Sequence, residues 1–195
     1  MKKILIILIY IPFILSCENK TNKTISSSKD LNKNSKSVTL NKSITHGNKE
    51  REYIIHIPRR YNDNTSTPLI FCFHGWSSSA NTIMSYSGFN EIADTAGFIV
   101  VYPQGSIFPK YGKTHFSVGG FTKGSPANDL SFTNALIDSI SLEYNIDQKR
   151  IYSTGMSNGG FMSLLLACQL SSRIAAIASV TGSMSPEIFN ECNPE

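Results

Sequence analysis

Short, strongly apolar runs alternate along the chain with segments whose apolar residues recur at helical spacing. Two β-rich stretches, residues 38–45 and 51–57, flank the turn signal His46-Gly47-Asn48 and predict a hairpin. Pro68 opens the continuous apolar run LIFCFH, and residues 97–103 (GFIVVYP) form a second such run. Both runs are typical of strands that are covered on both faces.

Each of these two runs is followed along the chain by a segment whose apolar residues recur at helical spacing. Residues 81–95 predict one helix that ends at Ala96-Gly97. Asp129 is predicted to cap a second helix, which runs through residues 130–144. The apolar residues of this second helix fall on one face, and they are Phe132, Leu136, Ile137 and Ile140.

The last third of the chain continues the alternation. Residues 150–154 predict a strand, residues 160–170 a helix, and residues 174–181 (IAAIASVT) a further buried strand. Strands separated by helices predict an α/β domain with a mostly parallel sheet and helices on both faces.

The first 37 residues have a different character. Two lysines precede an apolar run from Ile4 to Leu15, which suits a signal-peptide core and is short for a membrane span. The run leads into Ser16-Cys17, which resembles the lipobox of bacterial lipoproteins, so we expect acylation of Cys17 and a membrane-anchored or secreted protein. Ordinary signal cleavage with an incidental cysteine is the alternative. Residues 18–37 predict a flexible tether rather than an ordered arm, which leaves residues 38–195 as the globular domain.

Charge argues against nucleic acid as a partner. The net charge is +4, but residues 51–195 carry nine Lys and Arg against eleven Asp and Glu. The basic character therefore belongs to the leader and the tether. A nucleic-acid-binding face needs cations clustered on the domain itself.

The remaining cysteines predict no metal site. Cys72 lies in an apolar run and is expected to be a buried free thiol. Cys168 and Cys192 could pair in an oxidising compartment, although the sequence alone does not fix their connectivity. No clustered Cys/His spacing indicates a metal, and we predict no cofactor.

The candidate nucleophile is Ser157 in the stretch STGMSNGG. A strand that ends in Gly-x-Ser-x-Gly and leads into a helix forms a tight turn with the serine at its apex. Gly155 and Gly159 are expected to be required because a Cβ would collide with the backbone there. The N–H of Asn158, at the helix N-terminus, then supplies one half of an oxyanion hole. A purely structural turn is the alternative.

The second half of the hole is expected from the loop after the strand LIFCF. This loop reads His74-Gly75-Trp76, and the N–H of Trp76 is the candidate donor. His74 is expected to be a structural histidine rather than the catalytic base. In this arrangement the base follows the nucleophile in sequence.

The stretches REYIIHIP, PLIFCFHGWSSSA, GFIVVYPQG, DLSFTNALID and RIYSTGMSNGGFMS together resemble secreted polyhydroxybutyrate depolymerases, which are similar to feruloyl and acetylxylan esterases. The resemblance runs from about Asn41 to the end of the chain. It implies an α/β-hydrolase fold, Ser157 as nucleophile, Trp76 and Asn158 as oxyanion donors, and a polyester or an esterified plant polysaccharide as substrate. Where such depolymerases often carry a Trp-Asn loop, this chain has HFSVGG at residues 115–120, which leaves the substrate subtype open.

The same family places an acid and then a histidine after the serine. Residues 158–195 contain neither His nor Asp, and the histidines are at 46, 56, 74 and 115. Because two strand candidates are also lacking, we expect a C-terminally truncated hydrolase domain with little activity of its own.

Three function classes follow from these observations. The first is an extracytoplasmic serine esterase that works through an acyl-enzyme. The second is a lipid-anchored binding protein that has lost catalysis. The third is a peptidase of the prolyl-oligopeptidase kind, which shares the Gly-x-Ser-x-Gly-Gly stretch.

Overall fold

The computed structural model describes residues 36–192. The strands are β1 (Val38–His46), β2 (Lys49–Ile57), β3 (Thr67–Phe73), β4 (Ile99–Pro103), β5 (Ser106–Phe108), β6 (Lys113–His115), β7 (Ile146–Met156) and β8 (Ala176–Val180). Six of them form one mixed sheet in the order β1-β2-β4-β3-β7-β8, and β5 and β6 form a separate hairpin. The helices are α1 (Ala80–Ser87), α2 (Phe89–Ala96), α3 (Asp129–Glu143), α4 (Asn158–Gln169), α5 (Pro186–Glu191) and a 3₁₀ turn (Gly120–Thr122).

The sheet joins an antiparallel hairpin to a parallel core. β1 pairs antiparallel with β2, and β2 pairs antiparallel with β4. β3 pairs parallel with both β4 and β7, and β7 pairs parallel with β8. The predicted hairpin and the mostly parallel α/β sheet are therefore confirmed. β3 and β7 end side by side, and this arrangement brings the loops after them together.

Alternate residues of the central strands pack into two apolar clusters, one on each face of the sheet. In β4, Ile99 and Val101 belong to the cluster that contains the apolar face of α3 and the buried side of α4. Val100 and Tyr102 belong to the opposite cluster, with residues of α1 and α2. A strand covered on both faces needs apolar residues at every position, which explains the unbroken run GFIVVYP. The predicted helices on both faces are confirmed.

Two helix predictions need correction. The single helix predicted for residues 81–95 is in fact α1 and α2, because Gly88 between them has a φ of 64° and stops the first helix. Asp129 is not the cap of α3. Asn128 caps that helix, since its side chain accepts the N–H of Ser131, and Asp129 lies in the first turn.

Two strand predictions also differ from the structure, and one hairpin was missed. β7 extends beyond residues 150–154 at both ends and pairs with β3 through a register shift. The strand predicted for residues 174–181 is shorter, and the expectation that it is buried was wrong. β8 is an edge strand with alternating exposed residues, and Val180 keeps 50% of its surface exposed. The β5–β6 hairpin was not predicted, because strands of three residues are too short to show a period of two.

Cysteines 168 and 192 are joined by a disulfide with a Cα–Cα distance of 5.0 Å, which ties α4 to the end of α5. Cys72 is a buried free thiol, and burial raises its pKa to about 12. The leader, the predicted acylation site Cys17 and the tether up to residue 35 lie outside the described residues.

None of the helices between residues 36 and 192 combines the length and the apolar character that a membrane crossing needs. Over the same residues, no group of three His, Cys, Asp or Glu side chains is placed to hold a metal ion.

Candidate active site

Ser157 stands at the junction of β7 and α4, as the last residue before the helix. Its backbone has φ 54° and ψ −118°, a conformation that costs energy for any residue with a side chain. Its N–H donates to the carbonyl of Val180 at 2.8 Å, and this bond holds the turn against the end of β8. The residue is exposed although its three successors are buried. The turn therefore presents the Ser157 side chain outward from a rigid base.

Glycines surround this turn because backbone packs directly on backbone. A Cβ on Gly155 would lie 2.5 Å from the carbonyl of Gly159, and a Cβ on Gly159 would overlap the carbonyl of Phe73. These distances support the glycine requirement expected from the sequence. Sequence reasoning missed two further glycines. A Cβ on Gly160 would meet the carbonyl of Val180 at 2.9 Å, and a Cβ on Gly182 would overlap Gly160.

The loop after β3 lies beside Ser157. A Cβ built on Gly75 would come within 3.6 Å of the Cβ of Ser157, so the next residue, Trp76, borders the same space. The loop is held by a bond from the N–H of Ser77 to the carbonyl of Thr114 and by one from Ser78 to Gly75. Within residues 36–192 the N–H of Trp76 donates to no other group. The first N–H groups of α4, that of Asn158 included, have no partner inside their helix.

Aromatic rings gather around the Trp76 side chain. Its indole contacts the rings of Phe108, Tyr111, His115 and Phe121 at centroid distances of 5.6 to 6.4 Å. Phe121 also contacts Phe161, one turn beyond Ser157 in α4, at 5.5 Å. Tyr111 and Phe121 are about half exposed. These rings form an apolar wall beside the exposed serine. No local pattern indicated it, because the rings come from the loop after β3, from residues 108–121 and from α4.

The structure gives all four histidines partners other than Ser157. The first two lie on the β1–β2 hairpin, where His46 bonds Ser131 and His56 bonds Thr39 and Asp94.

His74 lies two residues before Trp76, and the His115 ring contacts the Trp76 ring at 5.7 Å. Both histidines are fully buried. His74 Nδ1 donates to the carbonyl of Gly75 at 2.7 Å, and Nε2 accepts the N–H of Gly105 at 3.0 Å, so the neutral ring is satisfied. Burial lowers the pKa of His74. His115 bonds the carbonyl of Ser106 through Nδ1 and the hydroxyl of Ser125 through Nε2. The structural role expected of His74 fits this geometry.

The chain matches known esterases in sequence. Residues 52–193 match the family described as Esterase PHB depolymerase. Over 135 residues, or 69% of the chain, it is 32% identical to the bifunctional acetylxylan esterase/xylanase XynS20E of Neocallimastix patriciarum, and it covers 18% of that protein. Over 153 residues it is 28% identical to feruloyl esterase D of Neurospora crassa, covering 77% of the chain and 50% of the relative. The chain thus spans half or less of these two relatives.

The fold matches solved structures as well. A ferulic acid esterase superposes with a TM-score of 0.60 at 17% identity, over 76% of this chain and 60% of that one. This likeness confirms the α/β-hydrolase fold, and the family match covers most of the globular part. The chain belongs to the Esterase PHB depolymerase family of α/β-hydrolases.

Proposed function

We propose that this protein is a carboxylic ester hydrolase that uses Ser157 as its nucleophile. The observation that carries the proposal is the exposed serine on a strained strand-to-helix turn, with two free amide groups beside it. The Ser157 oxygen would attack the ester carbonyl, and the alcohol would leave from the tetrahedral intermediate. Water would then release the acyl group from the serine.

The N–H groups of Trp76 and Asn158 are the proposed oxyanion donors. Both are backbone groups in fixed positions, one in the hydrogen-bonded loop after β3 and the other at the start of α4. Donors fixed in advance toward a developing negative charge need no rearrangement during the reaction. Removing one such donor from a hydrolase typically costs about 10² to 10³ in kcat.

We propose that none of the four histidines serves as the general base in its present position. Each already bonds other groups, and the two nearest the Trp76 loop are buried. A serine hydrolase without its base retains only about 10³ to 10⁴ of rate enhancement over water. We therefore expect the 195-residue chain to hydrolyse p-nitrophenyl acetate slowly.

The test is a comparison of the wild-type chain with the Ser157→Ala variant on p-nitrophenyl acetate. Slow hydrolysis that falls to the background rate in the variant supports the proposal. Equal hydrolysis by both proteins contradicts it. Robust turnover that depends on Ser157 would instead show that a histidine, with His74 and His115 the first to examine, leaves its present bonds and serves as base.

A non-catalytic binding protein is the second candidate, and the engaged histidines favour it. Absence of any Ser157-dependent turnover would support this candidate. The peptidase alternative is separated by offering a peptide anilide beside the ester. Faster cleavage of the anilide would favour the peptidase.

Location and substrate are further parts of the proposal. The relatives named above act, by their names, on feruloyl or acetylxylan esters, and we propose esterified plant polysaccharides or polyesters as the substrate class. We also propose an extracytoplasmic, lipid-anchored protein. Substituting Cys17→Ser should move the protein from the membrane fraction to the soluble fraction, and unchanged membrane association would exclude the anchor.

A further inference from the structure

The segment Phe116–Val118 is an irregular, buried stretch that touches both halves of the candidate oxyanion hole. Phe116 and Val118 are almost fully buried, yet the segment belongs to no strand. The Phe116 ring contacts Phe73 at 5.0 Å and His74 at 4.6 Å, so it lies beneath the loop that carries Trp76. Buried backbone groups outside regular structure need side-chain partners.

Side chains satisfy three consecutive N–H groups of this segment. The N–H of Phe116 donates to Oδ1 of Asn158 at 2.7 Å, and that of Ser117 donates to Oδ2 of Asp129 at 2.7 Å. The N–H of Val118 donates to the Thr122 hydroxyl at 2.8 Å. All three acceptor side chains are buried.

Asn158 makes a two-bond clamp on Phe116. Besides accepting the Phe116 N–H, its Nδ2 donates to the Phe116 carbonyl at 3.0 Å. The residue follows Ser157 directly, and its own N–H is the proposed oxyanion donor. Its side chain therefore ties the start of α4 to the segment that supports the other donor.

Asp129 is anchored in turn by a buried cation. Its Oδ1 accepts from Arg51 Nη2 at 2.6 Å, and the Arg51 guanidinium lies 3.9 Å from the centroid of the Phe132 ring. Asp129 is 1% exposed and Arg51 6% exposed. Such a pair is costly to bury and strongly destabilising to break, so its position is well defined. It fixes the carboxylate that holds Ser117.

We propose that the side chains of Asn158 and Asp129 are positioning residues, which set the spacing between the amide donors of Trp76 and Asn158 through the segment Phe116–Val118. The inference rests on the proposed function, because the spacing matters only if an oxyanion forms there. A shift of about 1 Å at a reacting site can cost about 10²-fold in rate.

The test uses the Ser157→Cys variant of the full chain, because a thiolate attacks without a general base. With p-nitrophenyl acetate, the sulfur forms a bond to the acetyl carbon and p-nitrophenolate leaves, a reaction that passes through an oxyanion. With iodoacetamide, the sulfur displaces iodide and no oxyanion forms. The ratio of the two rate constants cancels the thiolate fraction and reports the oxyanion hole. Mass mapping of the peptide that contains position 157 keeps Cys17 and Cys72 out of the measurement.

In this background, Asn158→Leu and Asn158→Asp are each expected to lower the acylation-to-alkylation ratio by about 10- to 100-fold at neutral pH. Leucine removes both bonds without adding charge. The new carboxylate repels the Phe116 carbonyl, but it can donate to that carbonyl once protonated. The ratio should therefore recover at acidic pH in the Asn158→Asp variant and not in Asn158→Leu. The exposed Asn81→Asp, which adds the same charge in α1, is the control that leaves the ratio unchanged.

Asp129→Asn is expected to lower the ratio by about tenfold in the folded protein, since an amide cannot accept from both Arg51 and Ser117 at full strength. Asp138→Asn, at an exposed ion pair with Arg173, is the matched control. If Asp129→Asn fails to fold by circular dichroism, the two variants at Asn158 decide the question.

An unchanged ratio in Asn158→Leu, or a loss in Asn158→Asp with no recovery in acid, would overturn the inference. The proposed function itself would be overturned by a result in the parent protein. That result is a Ser157→Cys protein that iodoacetamide alkylates at a normal rate but p-nitrophenyl acetate acylates no faster than it acylates a free thiol.

Discussion

At the scale of single residues, the site depends on backbone contact that only glycine permits. Gly159 lies in the first turn of α4, where alanine would normally favour the helix. Its missing Cβ instead makes room for the carbonyl of Phe73. The residue thus lets β3 and α4 approach closely enough to bring the loop that carries Trp76 beside Ser157.

Gly159→Ala is therefore expected to destabilise the fold by about 2 kcal/mol or more, because backbone must move to admit the methyl group. Denaturant unfolding measures the loss. Gly112→Ala is the control, since its Cβ meets open space and only its left-handed φ of 62° opposes the change. We expect that control to cost about 1 kcal/mol. A smaller loss for Gly159→Ala than for the control would show that the turn tolerates a side chain.

Because His74 is buried, we expect the stability of the fold to depend on pH. Burial lowers its pKa in the folded protein, whereas the unfolded chain titrates near the ordinary value of about 6.5. As the pH falls below that value, the unfolded chain takes up a proton that the folded protein does not, so the free energy of unfolding decreases. Unfolding of wild type and His74→Gln across this range should give a flatter slope in the variant. Equal slopes would exclude this role for His74.

At the scale of elements, the disulfide holds α5 on the body of the domain. The loop between Cys168 and Cys192 contains α5 and the strand β8, whose end accepts the N–H of Ser157. Closing a loop of this size typically contributes about 3 kcal/mol.

The variant with both Cys168→Ala and Cys192→Ala is accordingly expected to unfold at lower denaturant concentration than wild type under oxidising conditions. Reduction of the wild type should have a similar effect. Cys72→Ala is the comparison, because its thiol forms no crosslink. Equal midpoints for oxidised wild type and the double variant would show that the crosslink contributes nothing.

The strands and helices also show which features a local sequence pattern can predict and which it cannot. The apolar runs of β3 and β4 identified the central strands because burial on both faces leaves a signal that no loop shares. The same reasoning failed for β8, since IAAIASVT is apolar in sequence and yet half exposed at the sheet edge. Burial there depends on what lies beside the strand, which a local window cannot contain. The split at Gly88 was missed because a glycine within helical spacing marks a break only when its φ is positive.

At the scale of the whole molecule, the turn that carries Ser157 could be predicted from the sequence, but the long-range contacts that hold it could not. Ser157 and its glycines lie within five residues, so a short motif records them. The contacts of Asn158 and Asp129 with residues 116 and 117 span 42 and 12 positions, and the aromatic wall combines rings from the loop after β3, residues 108–121 and α4. Only the folded chain shows that these residues meet. The family match, over residues 52–193, concerns the chain and not these individual contacts.

Ser157 is the proposed nucleophile, and mapping of a covalent adduct tests this role most directly. The full chain is incubated with a fluorophosphonate, digested and analysed by mass spectrometry, with Ser157→Ala treated in parallel. We predict one adduct on the peptide that contains Ser157 and none in the variant. Labelling is expected to be slow without a base, so it is followed to completion in excess probe. An adduct on another serine, or equal labelling of the two proteins, would contradict the assignment of Ser157.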